Sequence, residues 1–253
     1  MVSYCIYEIF WRVKVKIFGN IGLALTIAKA FVGLGEYRRR IDNARAIGDK
    51  EEEKKAIFEA CKHWSDKIVK YLNLDINVVN PENLPNDGSV VYVANHQSYA
   101  DIVPFVNVLN HQVGFIAKED LSKIPVFADW VTRIRSLFIK RGDARASLDT
   151  INEGADLVKN GYSLVIFPEG TRSHSNKMAK FKPGALKLAT KAKAVIVPVT
   201  IRNSYKVFEE TGTATKNVKM DFIVHEPIDT SMLDRKELAV LSDRIEEIIR
   251  SAI

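Results

Sequence analysis

From residue 76 onward, short apolar runs rich in β-branched residues alternate with stretches whose apolar residues recur at helical spacing. The runs Ile76–Val79, Ser89–Ala94, Val113–Ala117, Leu137–Lys140, Leu164–Phe167, Val195–Ile201 and Met220–Val224 predict strands. Stretches near 101–110, 124–133, 145–160, 183–193 and 234–252 predict helices. Such alternation predicts an α/β fold, a mostly parallel mixed sheet flanked by helices, since parallel neighbours need crossovers and the helices then cover both faces. With 253 residues, 47% of them hydrophobic, the chain can bury a core of that size.

The first third reads differently. Glu8, Arg12 and Lys16 recur every fourth position, with Ile9, Val13, Ile17 and Ile21 on another face, so residues 1 to about 35 predict an amphipathic helix. The uncharged run 17–28 is too short to cross a bilayer, and extending it to Gly35 takes in Lys29. A helix lying in the membrane interface is expected, the alternative being one packed on the protein's own core. Tyr37-Arg38-Arg39-Arg40 follows, three cations placed to meet anionic headgroups. Residues 43–73 predict a second helix, with Ile57, Cys61, Trp64, Ile68 and Leu72 as its apolar stripe. The expected organisation is a helical pair at the membrane interface over 1–73 and a globular domain over 74–253.

A formal charge of +6 calls for an anionic partner: headgroups, a phosphorylated substrate or nucleic acid. Nucleic acid is disfavoured, because the cations are not interleaved with aromatics on one sheet face. Cys5 and Cys61 stand in no CxxC, and His63, His111, His174 and His225 have no ligand spacing with His96, so no metal site is expected. A reducing compartment follows, and with no cleavable signal the expected location is the cytoplasmic face of the cell membrane, peripheral or monotopic.

Several predicted strands end in chemistry. Val90–Ala94 runs into Asn95-His96-Gln97-Ser98-Tyr99-Ala100-Asp101, where His96 can act as a general base and Asp101 can orient it. Taken alone, the pair is equally a turn whose His and Asp serve as caps. Leu164–Phe167 runs into Pro168-Glu169-Gly170-Thr171-Arg172-Ser173, where an arginine fork, hydroxyls and free amides suit an anion. Lys140-Arg141-Gly142 closes a third strand, and Lys118 ends another. Phe181-Lys182-Pro183-Gly184 is expected to open a helix whose free amides favour an anion beside Lys182.

The order and spacing of these blocks resemble the glycerolipid acyltransferase family, specifically the bacterial 1-acylglycerol-3-phosphate acyltransferases, over roughly residues 75 to 205. The family's Asn-His-x4-Asp block stands at Asn95, His96 and Asp101, and its phosphate-binding arginine after Phe-Ile at Arg141. Phe-Pro-Glu-Gly-Thr-Arg is intact at Phe167 to Arg172, and Val-Pro-Val stands at Val197 to Val199. Lys118 also matches a family lysine. Where the family often has glycine before Phe-Ile, this chain has Arg135, and Pro183 replaces a cation after Lys182.

The resemblance implies transfer of an acyl chain to the 2-hydroxyl of 1-acylglycerol 3-phosphate (lysophosphatidic acid), giving phosphatidic acid. The donor would be a thioester of acyl carrier protein or coenzyme A, with no other cofactor. His96 and Asp101 would be catalytic. Glu169, Gly170, Thr171 and Arg172 would hold the glycerol phosphate, with Lys118, Arg141 and Lys182 adding positive charge. No acyl-enzyme is implied, and the chain has no GxSxG elbow. Glycerol 3-phosphate or another lysolipid remains an alternative acceptor, and a non-catalytic membrane lipid-binding protein is the alternative of another class.

Overall fold

The computed structural model describes residues 20–85 and 88–253. The strands are β1 (Asp75–Val79), β2 (Val90–Ala94), β3 (Val113–Lys118), β4 (Leu137–Ile139), β5 (Ser163–Ile166), β6 (Val195–Arg202), β7 (Lys219–Val224) and β8 (Ile228–Asp229). They form one sheet in the order β1-β7-β6-β2-β5-β3-β4, with β8 added to β6. From β6 to β4 every neighbour is parallel, while β7 runs antiparallel to β6 and parallel to β1. The sheet is therefore mixed and mostly parallel, as the alternation predicted. The C-terminal ends of β6, β2, β5, β3 and β4 all open on one edge, where α/β folds place their ligands.

β2 is central and buried at every position. Val91 and Val93 pack into one cluster with Val158, Leu188 and Ile245, which α6 (Ala144–Lys159), α7 (Lys187–Ala192) and α8 (Arg235–Ser251) bring to that face. Val90, Tyr92 and Ala94 point the other way, toward Phe105 and Val106 of α4 (Ile102–Val108) and toward Phe222. Strict alternation between two apolar layers fixes the register, because a one-residue slip would exchange the two layers.

Residues 20–72 form three helices rather than two: α1 (Ile21–Val32), α2 (Gly35–Ile47) and α3 (Lys50–Leu72). The helix expected over 43–73 is broken at Gly48, which takes the left-handed conformation (φ 74°). Asp49 then caps α3 by accepting the Glu52 N–H at 3.0 Å. The part of the first expected helix before residue 20 lies outside the described residues. Leu23 of α1 joins Ile68 and Leu72 of α3 in a cluster with Val207, Val218 and Met220, so these helices share a core with the sheet. α1 nonetheless exposes Ile21, Leu25 and Val32 at 51%, 53% and 75%. No helix among the described residues is long and apolar enough to cross a membrane.

The three consecutive arginines are not equally free. Arg40 pairs with Glu52 at 2.7 Å and with Glu59, and Arg38 reaches Asp129 at 3.6 Å, while Arg39 has no acidic partner among the described residues. At the end of the sheet away from the strand C-termini, Glu53 is buried and collects Arg45, Tyr162 and both ends of the Arg135 fork. Arg135 is left-handed (φ 60°), a conformation that glycine adopts at no steric cost. Here the clamp on Glu53 and a cation–π contact with Tyr162 at 4.9 Å offset the backbone cost.

Candidate active site

β2 delivers Asn95 and His96 to the open edge. Asp101 Oδ2 accepts from His96 Nδ1 at 2.7 Å, from the Gln97 N–H at 2.7 Å and from the Ser98 N–H at 2.9 Å. Its other oxygen takes the Ser204 hydroxyl. The carboxylate is fully buried, and Oδ2 already accepts two backbone N–H groups, so it faces Nδ1 as an acceptor. Nδ1 therefore carries its hydrogen, which leaves Nε2 of His96 with a bare lone pair. One carboxylate thus both closes the turn and holds the imidazole.

The His96 side chain is 18% exposed, and its ring lies against Phe167, centroids 4.1 Å apart and planes 16° from parallel. Phe167 begins the turn after β5, the neighbour of β2, and that turn is tied to the His96 loop along its backbone. Ser173 N–H donates to the His96 carbonyl at 2.8 Å, and His174 N–H to that of Gln97 at 3.2 Å.

Glu169, expected to position the glycerol phosphate, has another task in the structure. It is buried, and its two oxygens accept the N–H of His96 at 2.6 Å and of Ala179 at 2.7 Å. Burial pushes this carboxyl above its ordinary range, while the two N–H donors act against that. Gly170 is left-handed (φ 65°), and a Cβ there would come within 2.9 Å of Lys182 Nζ and Cε. Glycine thus lets Lys182 arch over the Glu169–Arg172 turn. Thr171 is exposed beside it.

The helix expected to begin at Pro183 begins at Lys187. Gly184 is left-handed (φ 78°), and the Ala185 and Lys187 N–H groups are used in turns to the Lys182 and Gly184 carbonyls. The helix start expected beside Lys182 is thus displaced by about one turn, to Lys187.

Arg172 donates to Glu209 at 2.7 Å, and its guanidinium carbon lies 3.4 Å from the Tyr99 ring centroid. Lys118, at the end of β3, is half-exposed and pairs with Asp120. Arg141, after β4, is exposed with no acidic partner among the described residues. The structure therefore brings His96, Asp101, Glu169, Arg172 and Lys182 together on the loops after β2 and β5. Arg141 stands at the same edge three strand steps from β2, ~14 Å at sheet spacing.

Tyr99, Ser204 and Glu209 belong to this site and were not predicted from sequence. Tyr99 sits inside the Asn95–Asp101 block, so its position was flagged. Ser204 and Glu209 carry no local signal. Beside the site, Ile102 of α4 and Phe115 of β3 meet Phe31, Trp64, Phe127 and Trp130 around an apolar cavity of about 130 Å³. Among the described residues, no group of three or more His, Cys, Asp or Glu is placed to hold a metal ion.

These features define a class: a mostly parallel α/β domain carrying a carboxylate-held imidazole beside cationic turns. Residues 75–202 match the family model described as Acyltransferase, and the chain belongs to that family, as the four sequence blocks implied. It is similar to the chloroplastic 1-acyl-sn-glycerol-3-phosphate acyltransferase LPAT1 of Arabidopsis thaliana, 34% identical over 68% of this chain and 49% of that one. The 1-acyl-sn-glycerol-3-phosphate acyltransferase of Saccharomyces cerevisiae is 30% identical over 70% of this chain and 59% of its own. The crystal structure of the 1-acyl-sn-glycerophosphate (LPA) acyltransferase PlsC from Thermotoga maritima superposes with a TM-score of 0.70 at 25% identity, covering 99% of this chain and 92% of that chain. The chain spans about half the length of the plant relatives it matches.

Proposed function

We propose that this protein transfers an acyl chain from a thioester of acyl carrier protein or coenzyme A to the 2-hydroxyl of 1-acylglycerol 3-phosphate, forming phosphatidic acid. The observation that carries the reading is the Asp101–His96 contact at 2.7 Å, on a loop tied along its backbone to the turn after β5 that carries Arg172. His96 Nε2 takes the hydroxyl proton as that oxygen bonds to the thioester carbonyl carbon. Collapse of the tetrahedral adduct breaks the C–S bond, and the leaving thiolate takes the proton back from His96. Asp101 offsets the charge on the transient imidazolium. Arg141, Arg172 and Lys182 hold the phosphate, with Lys118, Gly170 and Thr171 at the rim, and Glu169 acts through the His96 loop.

The acyl chain occupies the apolar cavity, whose wall at Ile102 adjoins Asp101. Residues 1–73 form the unit that meets an anionic membrane at the cytoplasmic face, with the exposed apolar side of α1 and Arg39 toward the lipid. Residues 74–253 form the catalytic unit.

The test is an assay of purified protein with 1-acylglycerol 3-phosphate and glycerol 3-phosphate as acceptors and both thioesters as donors. Phosphatidic acid formed by wild type and absent with His96→Ala is the expected result. Preference for glycerol 3-phosphate would move the acceptor, and transfer to neither would overturn the reading.

A further inference from the structure

Glu209 lies beyond residue 202, where the match to the family model ends. Its side chain is only 3% exposed. One oxygen, Oε1, accepts both Arg172 Nη1 at 2.7 Å and the Tyr99 N–H at 3.2 Å. The other, Oε2, is buried with no donor among the described residues.

The arrangement makes a clamp. The carboxylate grips Arg172 by one nitrogen at the edge, the Tyr99 ring supports it across the face, and the same oxygen fixes the backbone that carries the ring. Nε and Nη2 of Arg172 are left for an anion. The segment that supplies Glu209 also supplies Ser204, the hydroxyl on Asp101. A single stretch after β6 therefore reaches both the partner of the base and the arginine beside it.

The geometry points to Glu209 as a positioning residue that holds Arg172 in place for the phosphate of the acceptor. This rests on the proposed role of Arg172 as a phosphate contact. An arginine already immobilised loses little freedom when the anion arrives, and its planar fork stays aimed. Charge counting agrees with a phosphomonoester. Of the four cations assigned to the phosphate, Arg172 pairs with Glu209 and Lys118 with Asp120, leaving Arg141 and Lys182 without an acidic partner among the described residues. Two positive charges match a phosphomonoester, which carries close to two negative charges at neutral pH.

The experiment is a double-mutant cycle on the full chain, with acceptor and donor KM and kcat measured for wild type, E209A, R172A and E209A/R172A. Expected are an acceptor KM raised about tenfold by E209A, a donor KM unchanged, kcat within about threefold, and no added effect of E209A in the R172A background. E209Q, which keeps an acceptor oxygen toward Arg172, should recover most of the acceptor affinity, and it replaces E209A in the cycle should that variant fail to fold. A full E209A effect persisting without Arg172, a fall in kcat with acceptor KM unmoved, or no rescue by E209Q would overturn the proposal. An unchanged acceptor KM in R172A would instead remove the reading of Arg172 on which it rests.

Discussion

The side-chain amide of Asn95 exchanges two hydrogen bonds with the backbone of Ile201, donating to its carbonyl at 2.8 Å and accepting its N–H at 2.7 Å. Ladder pairing between β2 and β6 ends at Ala94 and Val199. Asn95 extends that pairing with a side chain while its own backbone turns out toward His96. Asn95→Leu orphans two buried backbone groups at about 1–3 kcal/mol each. A lowered denaturation midpoint and a lowered kcat are expected together; unchanged turnover would show that His96 is held by the other contacts alone.

His96→Ala should cut kcat by roughly 10²–10⁴-fold and leave acceptor KM nearly unchanged, because the base contributes in the transition state. Asp101→Asn should act in the same direction, since an amide can offer a donor toward Nδ1 and favour the wrong tautomer. Steady-state kinetics on both variants decide, and a large rise in acceptor KM with normal kcat would place His96 in binding.

Glu169 gives a pH signature. Burial raises its pKa above the ordinary 4.5, so the folded protein holds that proton more tightly than the unfolded chain. The corresponding stabilisation is present below 4.5 and is lost as pH rises through the folded value. Wild type should therefore lose stability relative to Glu169→Gln between about pH 4.5 and neutrality. Melting curves of the two proteins across that range test this, and parallel profiles would contradict it. Activity of the variant should fall, since glutamine cannot accept the N–H groups of both His96 and Ala179.

Glu53 has the opposite sign. Burial pushes its pKa up, but hydrogen bonds from Arg135, Tyr162 and Arg45 prevail and hold it below the ordinary 4.5. Its contribution is present above 4.5 and is lost as pH falls through the folded value. Glu53→Gln should cost about 3–5 kcal/mol near neutral pH, since it leaves two arginines short of their counter-ion. The difference should narrow in acid. Denaturant titrations at both pH values measure it, and an equal loss at each would show that packing, not charge, carries the effect.

The strands were readable because a central strand such as β2, buried at every position, must be almost purely apolar, and the seven predicted runs lie within a residue or two of the observed elements. β8, with two residues, is too short to carry a pattern. Gly48-Asp49 is a helix stop followed by a helix cap, and the apolar stripe from Ile57 to Leu72 begins only after it. Pro183-Gly184 has the composition of a turn, and a turn is what it forms. His96 and Asp101 were legible because five residues of spacing put both on one loop. Nothing local links Glu209 to Arg172, or separates Arg40, which finds Glu52 and Glu59, from Arg39, which finds no acid among the described residues. Such pairings are decided by tertiary packing.

Ser204 reaches Asp101 across 103 positions of chain, and Glu169 reaches the His96 backbone across 73. On the ribosome, then, the imidazole emerges long before the groups that align it. A nascent chain halted short of Ser204 would carry the base but lack its full support. Alignment of the imidazole thus waits until the segment after β6 has been made and has folded onto the loop after β2.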